Sequence, residues 1–361
     1  MSTVTELWVN RGDYRETKIV ESPGRAITDG EIRVRIEKFG LTSNNVSYAV
    51  SGDMIGYWNY YPADDPWGKV PVWGIGEVVE SNAFDITVGE RLYGFFPMSS
   101  EVILTVGSVQ PGAFMDASPH RVELPPLYNQ YRRTGNEPNF LQAMEAERCL
   151  LFPLFMTSFV LYDYFVDNDY FGAEQIVIGS VSSKTGFGLA ELLKKDGAKC
   201  VIGVTSANNI AFVESLGCCD QTVIYGNESD IDPSVPTAYV DMSGNAKLTE
   251  TLHTLLGDNI VESCMVGATH WEKRGRVKDL PGAKPTFFFA PGQIAKRDKE
   301  WGPGVLWDKG SEAGVEIAKK VSGEISVEDV IGAKAAANIW KAMLNNQISP
   351  SRGLLVSIGK G

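Results

Sequence analysis

The stretch from Gln175 to Gly292 most constrains the fold. Short, nearly continuous apolar runs recur there: "QIVIGS", "KCVIGVTS", "TVIYG", "TAYVDMSG", "VESCMVGAT" and "PTFFFAPG". Runs of that kind suit strands covered on both faces. Helical patterns lie between them. Leu189, Leu192 and Leu193 share one helix face, with Glu191, Lys194 and Lys195 turned outward. "ANNIAFVESLG" reads as a second helix, capped at Gly217. Strands alternating with helices imply a parallel, doubly wound sheet.

The first turn of that region carries the chemistry. "IVIGSVSSKTGFGLAELLKKDGAKCVIGVTS", Ile176 to Ser206, reads as strand, turn, helix, strand. A dinucleotide is held where free N–H groups and the dipole of a helix N-terminus favour negative charge, and glycines let the backbone come close. With Gly188 as the last glycine of G-x-G-x-x-G, the earlier two positions fall on Ser183 and Thr185. Hydroxyls and one ammonium stand in for glycine backbone. The candidate cradle is Ser182, Ser183, Lys184, Thr185, Gly186, Phe187 and Gly188. The competing reading is an ordinary helix N-cap at Ser182 or Ser183. The second strand ends in "GVTSANN", with Thr205 and Ser206 and no carboxylate to repel a 2′-phosphate. That favours NADP(H) over NAD(H), with Lys184 and Tyr225 as candidates for the phosphate.

The earlier part of the chain has a different pattern. "GEIRVRIEKFGLTS" alternates Ile32, Val34 and Ile36 with Arg33, Arg35 and Glu37, a half-buried strand. Short strands punctuated by glycine follow as far as Pro97 and predict a small barrel or sandwich. Gln110 to Glu147 holds five prolines and is expected to be an ordered surface excursion, either a lid or a decorated linker. From about Gly310 the pattern returns to helices and a last strand, "GLLVSIG".

Composition excludes some functions. The chain of 361 residues has a net charge of −12, with 33 basic and 45 acidic residues. Nucleic acid is not the expected partner of such a surface. Met1 to Asn10 shows no signal-peptide pattern, and no apolar run of roughly 18 residues occurs, so a cytoplasmic location is expected. Five scattered cysteines read as reduced thiols, with Cys218–Cys219 structural. The three histidines, His120, His253 and His270, lack ligand spacing, so no metal is expected.

The order of these pieces resembles the medium-chain dehydrogenase/reductases, and within them the zinc-independent quinone and enoyl reductases. "PVWGIGEVVESNAFDITVGERLYGFFP" is similar to a P-x-x-G-x-G-V-V … V-G-D-R-V-x-G segment. "AYVDMSGNAKL" is similar to a strand usually read V-Y-D-S-V-G. The resemblance covers about residues 25–105 and 145–295, and the proline-rich insert stands outside it. It implies a Rossmann-type doubly wound parallel sheet plus a GroES-like β-barrel domain. The barrel would take 1–148 and 310–361, with 110–147 as an atypical insert, and the dinucleotide-binding domain 149–309. It further implies Ser243, Gly267, Ala268 and Phe289 as cofactor contacts; His270 reads either as a surface or supporting histidine or as a residue near the nicotinamide. Asn45, Tyr48 and Tyr57 are implied as the groups that hold a developing oxyanion and supply a proton. The implied activity is NADPH-dependent reduction of an enone, quinone or related carbonyl compound, apolar or aromatic, by a homodimer. Two alternatives stand beside it: a cofactor-less binding or scaffold protein, and a carbonyl/alcohol redox enzyme.

Overall fold

The computed structural model describes residues 3–197, 199–267 and 279–359. The chain forms two compact units. One is Met1–Leu150 with Val327–Ile348 and Arg352–Gly361, and the other is Leu151–Ser326 with Ser349–Ser351.

The first unit is built on a closed barrel of six strands. In order around it they are Glu31–Leu41, Pro71–Ser81, Arg91–Pro97, Gln130–Arg133, Ala113–Asp116 and Glu101–Gln110. Glu101–Gln110 closes the ring by pairing antiparallel with the first half of Glu31–Leu41. Ile32, Val34 and Ile36 are buried, as their alternation predicts. Arg33 between them is also buried, paired with Glu80 at 3.0 Å and Glu101 at 3.6 Å. Arg352–Ser357 pairs with the other end of Glu31–Leu41.

The proline-rich insert is neither a lid nor a linker: it supplies two walls of the barrel, Ala113–Asp116 and Gln130–Arg133. Some of its side chains, among them Phe114, Arg121 and Tyr131, are core. Arg121 is fully buried, 3.0 Å from Asp116 Oδ2, and donates to Tyr60 O and the Tyr131 hydroxyl. A Cβ on Gly94 would come within 2.4 Å of the Tyr131 ring, so only glycine admits that ring.

The second unit holds a parallel sheet of six strands. Their spatial order is Gln221–Ile224, Cys200–Thr205, Gln175–Gly179, Thr237–Asp241, Ile260–Met265 and Thr286–Phe287. The chain starts in the middle and winds out both ways, so the order reverses beside Gln175–Gly179, where such sheets bind ligands. Helix Ala246–Leu256 covers one face through Leu248, Leu252 and Leu256 against Val177, Ile202 and Tyr239. Helix Lys184–Asp196 packs on Phe152–Asp167, with Phe187 edge-on to Phe155 at 5.7 Å.

This unit runs to Ser326, later than the boundary at 309 expected from sequence. Helix Val305–Val321 explains the difference. It lies so close to Phe152–Asp167 that a Cβ on Gly310 would meet Met156 at 2.7 Å. Among the described residues, no helix is long and apolar enough to cross a membrane.

Candidate functional site

The strand Gln175–Gly179 ends in Ser180, which adopts a left-handed backbone with φ of +57°. Val181 then donates its N–H to Val204 O, tying the turn to the next strand. Ser183 is the N-cap of Lys184–Asp196 and accepts from the N–H of Gly186 at 3.1 Å. Of the two capping readings the structure selects Ser183, and this does not exclude an anion. The first turn of a helix leaves several N–H groups unsatisfied, and its dipole attracts negative charge.

The two remaining glycines serve close approach. A Cβ on Gly186 would lie 2.8 Å from Ser183 Oγ and 2.9 Å from Ser180 O. A Cβ on Gly188 would lie 2.6 Å from Ser158 Oγ and 2.8 Å from the Phe155 ring. Gly188 thus allows helix-on-helix packing, and Phe187 beside it is fully buried.

The other members of the turn are held individually. Ser182 is buried, and its Oγ accepts from Asn209 Nδ2 at 3.2 Å, which fastens the turn to the loop after the second strand. The Thr185 carbonyl accepts from Ser158 Oγ at 2.8 Å. Lys184 is half-buried, and its ammonium donates to Pro350 O at 3.1 Å. Burial pushes its pKa down to about 8. The lysine expected for a phosphate therefore already holds a carbonyl oxygen.

At the end of the second strand, Thr205 is fully buried and its Oγ1 has no hydrogen-bond partner among the described residues. A buried hydroxyl without a partner is costly and marks a place for a further polar group. Tyr225 N donates to Thr205 O. The Tyr225 hydroxyl lies beside Ser180, and burial pushes its pKa up to about 12. Ser206 accepts on its carbonyl from Asn209 N. The turn, Thr205 and Tyr225 thus line one end of the sheet, and the orphaned Thr205 hydroxyl fits the hydroxyl-rich or phosphorylated ribose of a dinucleotide.

The later strand ends are more committed. Ser243 is buried and donates both N–H and Oγ–H to Asp241 Oδ1. Gly267 lies against Met242, whose carbonyl oxygen would sit 1.9 Å from any Cβ placed there, so the position requires glycine. Phe289 is half-exposed and lines a cavity of about 170 Å³ with Tyr164, Cys264, Phe287, Phe288 and Gln293. Ala268 and His270 lie outside the described residues.

In the first unit, Asn45 is 3% exposed and fully engaged. Its Oδ1 accepts from Thr42 N at 2.8 Å, and its Nδ2 donates to Pro71 O at 3.0 Å. Expected to face a substrate, it instead clamps the start of helix Ser43–Val50. Tyr48 and Tyr57 pack ring to ring at 4.5 Å. The Tyr48 hydroxyl accepts from Trp73 Nε1 at 3.3 Å, and the Tyr57 hydroxyl lies 3.1 Å from that of Tyr128. Burial raises the pKa of both phenols and keeps them protonated. Tyr128 escaped notice because it sits in the insert. Its three-residue spacing from Tyr131, a second tyrosine in the insert, was the available signal.

The family described as "Protein of unknown function (DUF2855)" matches residues 39–349. Among curated proteins none matches. Solved structures match over nearly the whole chain. CurA from Vibrio vulnificus in complex with NADPH is 12% identical, with 100% of each chain covered and a TM-score of 0.62. CurK enoyl reductase is 13% identical over 98% of this chain and 99% of its own, with a TM-score of 0.57. The quinone oxidoreductase from Coxiella burnetii is 14% identical over 99% of this chain and 100% of its own, with a TM-score of 0.54. The resemblance to quinone and enoyl reductases read from the sequence therefore holds in the fold.

Proposed function

The chain belongs to the DUF2855 family, and we propose that it is a zinc-independent, NADP(H)-dependent oxidoreductase acting on an enone, quinone or related apolar carbonyl compound. One observation carries this reading. The strand–turn–helix at Ser180–Gly188 presents a helix N-terminus beside the unpartnered, fully buried Thr205 hydroxyl. The NADPH held by CurA, a protein of the same fold, supports it.

A reduced nicotinamide bound by the second unit supplies hydride. The first-turn amides after Ser183 would hold the pyrophosphate. Thr205, Tyr225 and Lys184 would take the ribose and its 2′-phosphate, with Lys184 exchanging Pro350 O for the anion. In the first unit, Tyr48 and Tyr57 carry protonated phenols. Either can donate to an oxygen that gains charge and can deliver a proton to it. Tyr128 orients Tyr57, and Asn45 positions the helix that bears Tyr48.

NADPH consumption with a panel of quinones, enones and ketones tests the reading. Turnover with the first two and little with ketones is the expected pattern. Ketone preference would favour the carbonyl/alcohol alternative. A scaffold without cofactor gains from one feature, the capture of Lys184 by Pro350 O, and it predicts no turnover of any compound.

We further propose a homodimer. Among the described residues, Thr286–Phe287 is an outermost strand of the parallel sheet, and Phe287 and Phe289 are 47% and 50% exposed. Light scattering that gives twice the chain mass would support it, and a monomer across micromolar concentrations would exclude it.

A further inference from the structure

Cys218 and Cys219 follow the cap of helix Ile210–Leu216 and precede the strand Gln221–Ile224. Their sulfurs are 3.8 Å apart, and both thiols are free. Cys218 is fully buried and Cys219 half-buried, so the two residues differ in their access to solvent.

The Cys219 sulfur also touches something specific. It packs on Gly203, where an added Cβ would meet Cys219 Sγ at 2.7 Å and Val181 Cγ1 at the same 2.7 Å. Gly203 is the gap into which both side chains fit. Val181 is fully buried and lies between Ser180 and Ser182 in the turn described above. The thiol and Val181 of the turn thus share the space over Gly203.

We propose that Cys218 and Cys219 form a reversible redox pair whose closure to a vicinal disulfide weakens dinucleotide binding at the Ser180–Gly188 turn. The coupling to binding rests on the function proposed above. The oxidant is a hydroperoxide. The Cys219 sulfur, having lost its proton, attacks the terminal peroxide oxygen. The O–O bond breaks, an alcohol or water leaves, and Cys219 becomes a sulfenic acid. Cys218 sulfur then attacks the Cys219 sulfur, the S–S bond forms and water leaves. Two electrons pass from the thiols to the peroxide: two R–SH and R′OOH give RS–SR, R′OH and H2O.

The geometry gives the pair two properties. A disulfide brings sulfurs to about 2.05 Å, so Cys219 must swing toward Cys218 and leave its place over Gly203, the space it shares with Val181. A packing gap under the turn follows. Adjacent Cα atoms are only about 3.8 Å apart across a trans peptide, below the usual disulfide range. Such a bond is strained and readily reduced, as regulatory disulfides are. The hydrogen bond with Cys218, together with burial, pushes the Cys219 pKa up. Little thiolate is present at neutral pH, so closure by peroxide is slow.

Intact and peptide mass of the full chain after hydrogen peroxide tests the pair. The expected product has lost two hydrogens within the peptide containing residues 218–219, and dithiothreitol restores it. Cys218→Ser and Cys219→Ser each abolish that product, and Cys200→Ser keeps it. Sulfinic acid or a disulfide between chains would overturn the pair. Calorimetry with NADPH tests the coupling: the oxidised protein should bind about tenfold more weakly, within the ordinary range of coupling between sites. Equal affinity in both redox states overturns the coupling. If the reduced protein binds no NADPH, the functional reading fails, and hydrogen exchange decides instead. Faster exchange at residues 181–187 after oxidation supports the link, and unchanged exchange overturns it.

Discussion

The ammonium of Lys184 donates to the carbonyl oxygen of Pro350, 166 positions later in the chain, at 3.1 Å. This contact sets two properties at once. It holds the Ser349–Ser351 segment within the second unit, and it keeps the one cation of the turn half-buried.

A pH dependence follows for cofactor affinity. Burial pushes the Lys184 pKa down to about 8. NADPH should bind progressively more weakly as pH rises through that value, while NADH, which lacks the 2′-phosphate, changes less. Lys184→Ala should lower NADPH affinity more than NADH affinity and remove the pH effect. Equal losses for the two cofactors would place Lys184 on the pyrophosphate. Stability carries the opposite sign. Between pH about 8 and the unfolded-state value of 10.5, the unfolded chain binds the extra proton. Stability from this group should rise across that window in urea titrations, and Lys184→Met should lack the rise.

Asn45→Ala tests positioning against chemistry. The substitution removes a donor and an acceptor that satisfy Pro71 O and Thr42 N. A loss of about 1–3 kcal/mol in urea unfolding is expected. Tyr48→Phe, by contrast, should lower the turnover number with a smaller effect on stability.

Gly188→Ala forces a methyl into a space bounded by Ser158 Oγ at 2.6 Å and the Phe155 ring at 2.8 Å. Overpacking of this kind costs about 1–3 kcal/mol. A shift in the urea midpoint with an unchanged slope would show it, and Phe155→Leu in the same chain should recover part of the loss.

His253 predicts acid sensitivity. It is fully buried, with Nδ1 2.8 Å from Pro281 O and Nε2 3.0 Å from Ser263 Oγ. A carbonyl only accepts, so Nδ1 carries the proton and neutral Nε2 accepts from Ser263. Burial pushes the His253 pKa below 6.5. The unfolded chain then binds more protons below that value, so stability should fall as pH drops from 7 toward 5. His253→Asn should be less stable at pH 7 and should show a flatter pH profile.

The parallel sheet was legible in the sequence because each strand is covered on both faces, which makes it a continuous apolar run such as Ile176–Ile178. Gly217 was legible as a helix end because glycine readily takes the left-handed backbone that it adopts there. The walls supplied by the insert were not. Ala113–Asp116 and Gln130–Arg133 are four residues each, and the second is mostly polar, so neither shows a period. The candidate turn was located by its context of strand and helix. Its partners were not, because Pro350 and Ser158 reach it through the tertiary fold. Asn45 and Tyr57 were found as polar and aromatic candidates. That their polar groups meet Pro71 and Tyr128 depends on contacts 26 and 71 positions away in the chain.

The central claim is that the turn holds a dinucleotide without the usual glycines. Calorimetric titration of the reduced full chain with NADPH and NADH tests it most directly, with Thr205→Val as the comparison. The valine keeps the shape and removes a buried hydroxyl that lacks a partner among the described residues. The account predicts that NADPH binds more tightly than NADH and that Thr205→Val weakens it. If neither dinucleotide binds at millimolar concentration, the account is contradicted.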